Sequence, residues 1–372
     1  MQFNKIKLND IADINMGQSP SGSSYNNKGK GIPFLQGNKT FGFLYPTIDT
    51  WTTEPKKIGK KNTVLMSVRA PVGDLNIANK DICIGRGLCS IEMKDGNNQY
   101  LYYLLKNSIK KIKMKSTGTV FDSINRKELE NIEILNFDKS QQKKISKVLF
   151  DIDKKIELNI QTNDNLQKIA RNQFYELFAN KKVNAKFKDL VNIKKKAIKA
   201  SNKNTNLGYY PIDMLPMNYL VTQNCKSNEE ANSSLIEFSK YDILLGSMRV
   251  YFHRVCLAAD DGITRNTTFV FEPKQKELLY YALLLIDRDE FIDYANKTSK
   301  GSTMPYAVWE ALSEYEIYLP ENNEISDFSN LMYPLFEKII LNEKENRILE
   351  QLRDTLLPKL MNGEIDLDKI EI

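Results

Sequence analysis

The sequence predicts an α+β protein made by tandem duplication: two pseudo-repeated globular domains, separated by two long helices packed as an antiparallel coiled coil. Three observations predict it. Residue patterns of the first half recur in order in the second at offsets of 178 to 183. Each copy mixes strand-like apolar runs with helical ones. Each copy then closes on a long stretch with a seven-residue apolar repeat and polar residues at matched seam positions.

The repeat opens with Lys7–Ile14 answered by Lys186–Ile193, both carrying the Lys-x-x-Asp-apolar pattern. Ile32-Pro33-Phe34 is answered by Tyr210-Pro211-Ile212, Val64–Arg69 by Leu244–Arg249, Arg86 by Arg265, and Leu101-Tyr102-Tyr103 by Leu279-Tyr280-Tyr281. A short element (Ile6–Asn15 or Phe187–Lys196) leads into a polar loop, Gln18–Lys30 or Lys199–Gly208. Strands are expected at Ile32–Leu35, Val64–Val68 and Ile82–Ile91, and again at Tyr210–Asp213, Ile243–Met248 and Thr267–Phe271. A helix follows (Gln99–Lys110 or Lys276–Asp287), then a Gly-Ser-Thr turn, a short helix and a strand ending near Asn136 or Pro320. Domains are expected at 1–137 and 181–320, with helical spacers at 138–180 and 321–372.

In the first spacer, Leu149, Ile156, Asn163, Ala170 and Leu177 take heptad position a, and Ile145, Ile152, Asn159, Leu166 and Gln173 take d. Adding 183 gives Met332, Ile339, Asn346, Arg353 and Leu360, with Phe328, Leu335, Asn342, Leu349 and Leu356. Asn recurs at both matched places, and a seam Asn fixes register at a cost in stability. Antiparallel pairing sets Asn163 against Asn342, Asn159 against Asn346, Ile156 against Leu349 and Ile145 against Leu360. Parallel pairing also matches Asn with Asn; a pseudo-twofold axis between equivalent halves favours the antiparallel sense. Arg353, opposite Ile152, is expected to send its head to solvent. Residues 145–177 would span about 50 Å as a helix.

Net charge is +6 over 372 residues, distributed as +8 in 1–137, +2 in 138–180, +2 in 181–320 and −6 in 321–372. A basic first third invites nucleic acid. No run of 18 apolar residues occurs and the start lacks a secretory h-region, so a cytoplasmic protein with no membrane span is expected. Cys83, Cys89, Cys225 and Cys256 show no metal-ligand spacing and read as reduced core residues.

Enzyme signatures are missing. There is no phosphate-binding Gly-x-x-x-x-Gly-Lys-Ser/Thr loop, and no Asn/Asp-Pro-Pro-aromatic tetrapeptide of a methyl-donor site. A single histidine, His253, allows at most one catalytic triad. The alternative is a stand-alone metal-dependent nuclease. Asp74 with Glu92-Met93-Lys94, or Asp260 with Glu272-Pro273-Lys274, would supply D…E-x-K carboxylates and a lysine beside the phosphate.

The residues offer duplex-DNA chemistry instead. Arg pairs bidentately with guanine, and Asn or Gln with adenine, from loops that reach a groove. In the first copy the candidates are Gln18, Ser19, Gln36, Asn38, Lys39, Arg69 and Arg86, with Ser116, Thr117, Gly118 and Thr119 as a phosphate-holding turn. In the second they are Lys194, Lys195, Lys196, Arg249, His253, Arg254 and Arg265, with Lys300, Ser302 and Thr303 on the corresponding turn. Structural ion pairs for the arginines, and plain capped turns for the Ser/Thr loops, remain the other reading.

With these residues in hand, the whole chain resembles the specificity subunit of type I restriction-modification systems. The telling stretches are Ser116–Ile124, Ser299–Val308 and the terminal Leu356-Leu357-Pro358-Lys359-Leu360-Met361-Asn362-Gly363-Glu364-Ile365. The resemblance implies two target-recognition domains, each reading one half of a bipartite double-stranded DNA site. It further implies a coiled coil that sets the gap and docks two modification (methyltransferase) subunits, with restriction (motor-nuclease) subunits joining them. It implies no catalytic residue and no cofactor here; S-adenosylmethionine, ATP and Mg²⁺ are expected on the partners. One departure stands out: the first helix ends Glu176-Leu177-Phe178-Ala179-Asn180, where the family resembles the Leu-Met-Asn-Gly-Glu tail.

Overall fold

The structure, a computed structural model, describes residues 3–116, 123–195, 197–202, 206–232 and 234–365. The chain divides into two compact units, residues 1–158 with 348–372, and residues 159–347.

The first unit is centred on a sheet of β1 (Ala12–Met16), β2 (Val64–Ser67), β3 (Leu75–Ile77) and β4 (Leu88–Met93), antiparallel throughout in the order β1-β4-β2-β3. All four β2 residues are buried, because both faces are covered. Val64 and Met66 pack into the main core with helix α1 (Asn98–Ser116). Leu65, alternating to the other face, packs with Leu35, Ile82, Ile84 and Leu88 under a second, five-stranded sheet. The expected single strand Ile82–Ile91 is two: Ile82–Ile84 joins the second sheet and Leu88–Met93 the first, with the turn Gly85–Gly87 between them.

Helix α2 (Lys139–Phe178) is 40 residues long, longer at both ends than the heptads required. In the first unit its Ile145 and Leu149 share a core with Leu357, Leu360 and Met361 of the last helix, while Asp153 pairs with Arg353, so the two run antiparallel there. The expectation for Arg353 is overturned. Its side chain is only 9% exposed, and Nη1 lies 2.8 Å from Oδ1 of the fully buried Asp153. Oδ2 of Asp153 accepts from the Tyr103 hydroxyl at 2.8 Å, and Ile152, assigned to the seam, is half-buried. A charge can enter this interior because its partners are waiting there.

The second unit repeats the plan. Strands β5 (Val191–Ile193), β6 (Ile243–Gly246), β7 (Val255–Leu257) and β8 (Thr268–Pro273) pair in the order β5-β8-β6-β7. Register repeats too: Ile14 and Val64 both face Ile91, as Ile193 and Ile243 both face Phe271. Helices α3 (Leu279–Ile286) and α4 (Asp289–Lys297) cover this sheet. The strand expected at Tyr210–Asp213 is not formed: pairing stops at Gly208–Tyr209 and Ile212–Met214 makes a 3₁₀ turn. Pro211 has no N–H to continue the ladder.

The last helix, α5 (Asn322–Met361), also has 40 residues. In the second unit its Asn342 donates to Asn163 Oδ1 at 2.7 Å, and Asn159 donates to Asn346 Oδ1 at 2.9 Å. Both Asn pairs are those of the antiparallel reading. Glu343 joins the layer, accepting from Asn163 at 2.8 Å and from the Tyr219 hydroxyl. Past Ala170 the heptad fails. Leu177 is 45% exposed, while Phe174 and Phe178 are buried against Phe328, with ring centroids 6.2 and 5.1 Å away. There the helix also packs on Tyr281, so it follows its own 3.6-residue turn rather than a 3.5-residue seam. Cys83, Cys89 and Cys256 are buried, whereas Cys225, expected in the core, is exposed. Among the described residues no helix is long and apolar enough to cross a membrane.

Candidate nucleic-acid interface

In the first unit the candidate side chains gather where β2 ends. Gly17 donates to Leu88 O and Gln18 to Ile84 O, both at 2.9 Å, threading this segment against the Gly85–Gly87 turn. That approach requires glycine: a Cβ on Gly17 would lie 2.2 Å from Gly85 O, and one on Gly87 2.6 Å from Gln36 O. The Ser19 hydroxyl therefore donates to Gln36 Oε1 at 2.9 Å and accepts from the Arg86 N–H at 3.2 Å. Val68 donates to Gly87 O at 2.9 Å, which sets Arg69 beside this group. Gln18, Gln36, Arg69 and Arg86 are exposed, offering amide and guanidinium groups with the chemistry of base edges.

The second unit builds its edge from the same places. Ser247 donates to Thr267 O, Ala307 donates to Ser247 O, both at 2.9 Å, and Arg249 donates to Pro305 O at 2.7 Å. Lys300 and Tyr306 exchange two backbone hydrogen bonds of 2.9 Å around Gly301, whose φ of 89° suits glycine. Arg249, Arg265, Lys300, Ser302 and Thr303 are all exposed on these loops.

Four candidates are turned inward instead. Asn38 donates to Asp74 Oδ2 at 2.6 Å, and Lys194 is paired with Asp242 at 2.8 Å. Arg254 donates to the carbonyls of Asp213 and Leu215. His253 Nε2 lies 2.8 Å from Asp287 O and 3.1 Å from its Oδ1. Such partners make these residues braces for the loops. Lys39 and Lys195 are exposed, whereas Thr117, Gly118, Thr119, Lys196 and the Ser116 side chain lie outside the described residues. Sequence reasoning missed Tyr251 and Phe252, exposed on the turn after β6. The Tyr-Phe pair between Arg249 and Arg254 was the signal for them.

His253 carries a testable pH dependence. Burial alone would lower its pKa, but the hydrogen bonds and charge of Asp287, with Asp289, hold it above the ordinary histidine value. Arg171 Nε shares Asp287, 2.6 Å away. A raised histidine stabilises fully below its unfolded pKa of about 6.5 and loses that contribution as pH rises through the folded value. In a Trp51→Phe background, Trp309 is the one tryptophan left and reports on the second unit. Its urea midpoint should fall from pH 6 to pH 9, and His253→Gln should flatten the slope; an identical slope in the variant refutes the assignment.

The nuclease alternative does not survive the geometry. Asp74 sits by Ser67 at one end of β2, whereas Glu92 follows Ile91, which faces Val64 at the other. Lys94 donates to Asn9 O, and Asp260 is paired with Lys344 and Arg347. Among the described residues no group of three or more His, Cys, Asp or Glu is placed to hold a metal.

Known proteins resemble this chain across nearly its whole length. The family model for the type I restriction modification DNA specificity domain matches twice, over residues 2–168 and 180–352. A putative type I restriction enzyme MjaX specificity subunit from Methanocaldococcus jannaschii is 41% identical over 175 residues, 46% of this chain and 41% of that one. The chain therefore spans about two-fifths of that relative's length. The MjaIX specificity subunit of the same organism is 26% identical, over 98% of this chain and 94% of the relative. Among solved structures, the S subunit of a type I restriction-modification system from M. genitalium has the same fold, with a TM-score of 0.67. It is 18% identical, covering 97% of this chain and 96% of that one.

Proposed function

The chain belongs to the type I restriction-modification DNA specificity family, and from that premise we propose that it reads the DNA sequence for such a complex. The observation that carries this reading is one sheet built twice, with the loops at the same edge bearing different side chains. Gln18, Gln36, Arg69 and Arg86 face out from one unit; Arg249, Arg265, Lys300, Ser302 and Thr303 face out from the other. Two unlike readers give an asymmetric, bipartite site. Phosphate contacts from the lysines would add affinity without sequence information. The chain supplies no reacting group: two modification subunits dock along α2 and α5 and perform the methylation, and restriction subunits join them. S-adenosylmethionine, ATP and Mg²⁺ belong to those partners.

The lengths of α2 and α5 set the gap between half-sites. The test is methylation sequencing of a host carrying this chain with its modification subunit. A bipartite motif is expected, and a continuous palindrome would reject the reading. Inserting four residues after Leu158 and four after Arg347 keeps the Asn pairs and lengthens each helix by about 6 Å. The gap should grow by about two base pairs at about 3.4 Å each, with both half-sites unchanged. An unaltered gap would mean that the helices are not the ruler.

A further inference from the structure

We infer that Tyr251 and Phe252 form an aromatic wedge that stacks against an opened base step in the half-site read by residues 159–347. This inference rests on the DNA-reading function proposed above. Val250–Phe252 is a single 3₁₀ turn between two residues in the left-handed region, Arg249 (φ 48°, ψ 57°) and His253 (φ 51°, ψ 54°). Non-glycine residues adopt that conformation only where their surroundings impose it. Here the surroundings do. Val250 is 1% exposed and anchors the turn in the core. Phe252 donates to Arg249 O and His253 to Val250 O, both at 2.9 Å, and Asn218 donates to His253 O at 3.0 Å. The His253 ring is held by Asp287, and the Arg254 guanidinium lies 5.9 Å from the Phe252 ring centroid.

So fixed, the turn holds two aromatic rings in water: Tyr251 is 49% and Phe252 39% exposed, with centroids 4.9 Å apart. Rings already rigid lose little freedom on binding. Apolar side chains presented beside cations are the means by which proteins unstack and kink a duplex. The cations are on the neighbouring loops, Arg249, Arg265 and Lys300, together with exposed Met304 and Tyr306. The corresponding turn of the first unit, Arg69-Ala70-Pro71-Val72-Gly73, carries no aromatic residue. One half-site is then read through base edges by Gln and Arg, and the other partly through how readily one of its steps opens.

The test uses the full chain assembled with its modification subunit, on a duplex carrying its bipartite site. 2-Aminopurine replaces each position of the second half-site in turn. Binding should raise fluorescence at one step. Tyr251→Ala with Phe252→Ala should abolish that rise and weaken binding roughly tenfold to a hundredfold, as loss of base–aromatic stacking does. Tyr251→Phe with Phe252→Trp should keep both. No fluorescence rise in the parent complex, or an unchanged rise in the Ala variant, overturns the wedge while the DNA-reading function stands. So does failure of the Ala variant to bind the modification subunit, which would make the turn a protein contact. A parent complex that cannot tell its site from a scrambled duplex sinks the function itself.

Discussion

Replacing Arg353 with methionine should weaken the first unit by about 3–5 kcal/mol, because it strands a carboxylate in the interior. Asp153 is fully buried, with Arg353 Nη1 and the Tyr103 hydroxyl each at 2.8 Å and Lys106 Nζ at 3.9 Å. Lys106 is too distant to replace the guanidinium as a hydrogen-bond donor. Arg353 also lies over the Phe43 ring, 5.6 Å from its centroid, so methionine keeps part of the packing and isolates the charge effect. The repeat supplies the control. The residues 183 positions away are Phe336 for Asp153 and Ala170 for Arg353, both buried in the apolar core of the second unit. The same place in the duplicated plan thus holds an apolar pair, and Asp153→Leu with Arg353→Met together should recover most of the loss. With Trp309→Phe, Trp51 alone reports on the first unit during urea unfolding. A shift below about 1 kcal/mol for Arg353→Met would match a solvent-exposed pair instead.

That pair also marks where reading the sequence stopped short. A carboxylate beside the seam, such as Asp153, looks in sequence like any solvated face, and only its three-dimensional partners allow it to be buried. The duplicated plan was legible because backbone pairing follows residue type at near-fixed spacing: Ile14 was carried onto Ile193, although Val64, matched in sequence to Leu244, has its register place taken by Ile243, one residue earlier, opposite Phe271 as Val64 is opposite Ile91. The Asn layer was legible because a polar residue repeated at a seam has few other uses. Side-chain direction was not. Arg249 and Arg254 are five positions apart in one turn, yet the first faces out and the second braces Asp213 and Leu215. Leu177 and Phe178 are neighbours whose burial depends on whether the helix keeps to a heptad, which the docking of Tyr281 decides.

Exchanging Gly85 for valine should erase recognition of one half-site and leave the other intact. A Cβ at Gly85 would stand 2.9 Å from both Gln36 Cα and Gln36 Oε1, and the first is backbone that cannot swing aside. Moving Gln36 breaks its bond from Ser19, and with it the Ser19 contact to Arg86 N. Two of the side chains offered to bases in this unit, Gln36 and Arg86, lose their placement in one step. If each base-pair contact is worth about 1–3 kcal/mol, losing two costs about 2–6 kcal/mol and lowers discrimination roughly 30-fold to 10⁴-fold. The measurement is competition binding by the assembled complex, against duplexes altered in one half-site or the other. Alterations in the first half should cease to matter, while those in the second should cost what they cost the parent. Gly22→Ala is the matched control, since a Cβ there meets nothing within 4 Å. Equal losses at both half-sites would show that Gly85 supports the whole assembly, and full retention at the first would remove Gln36 and Arg86 from the reading edge.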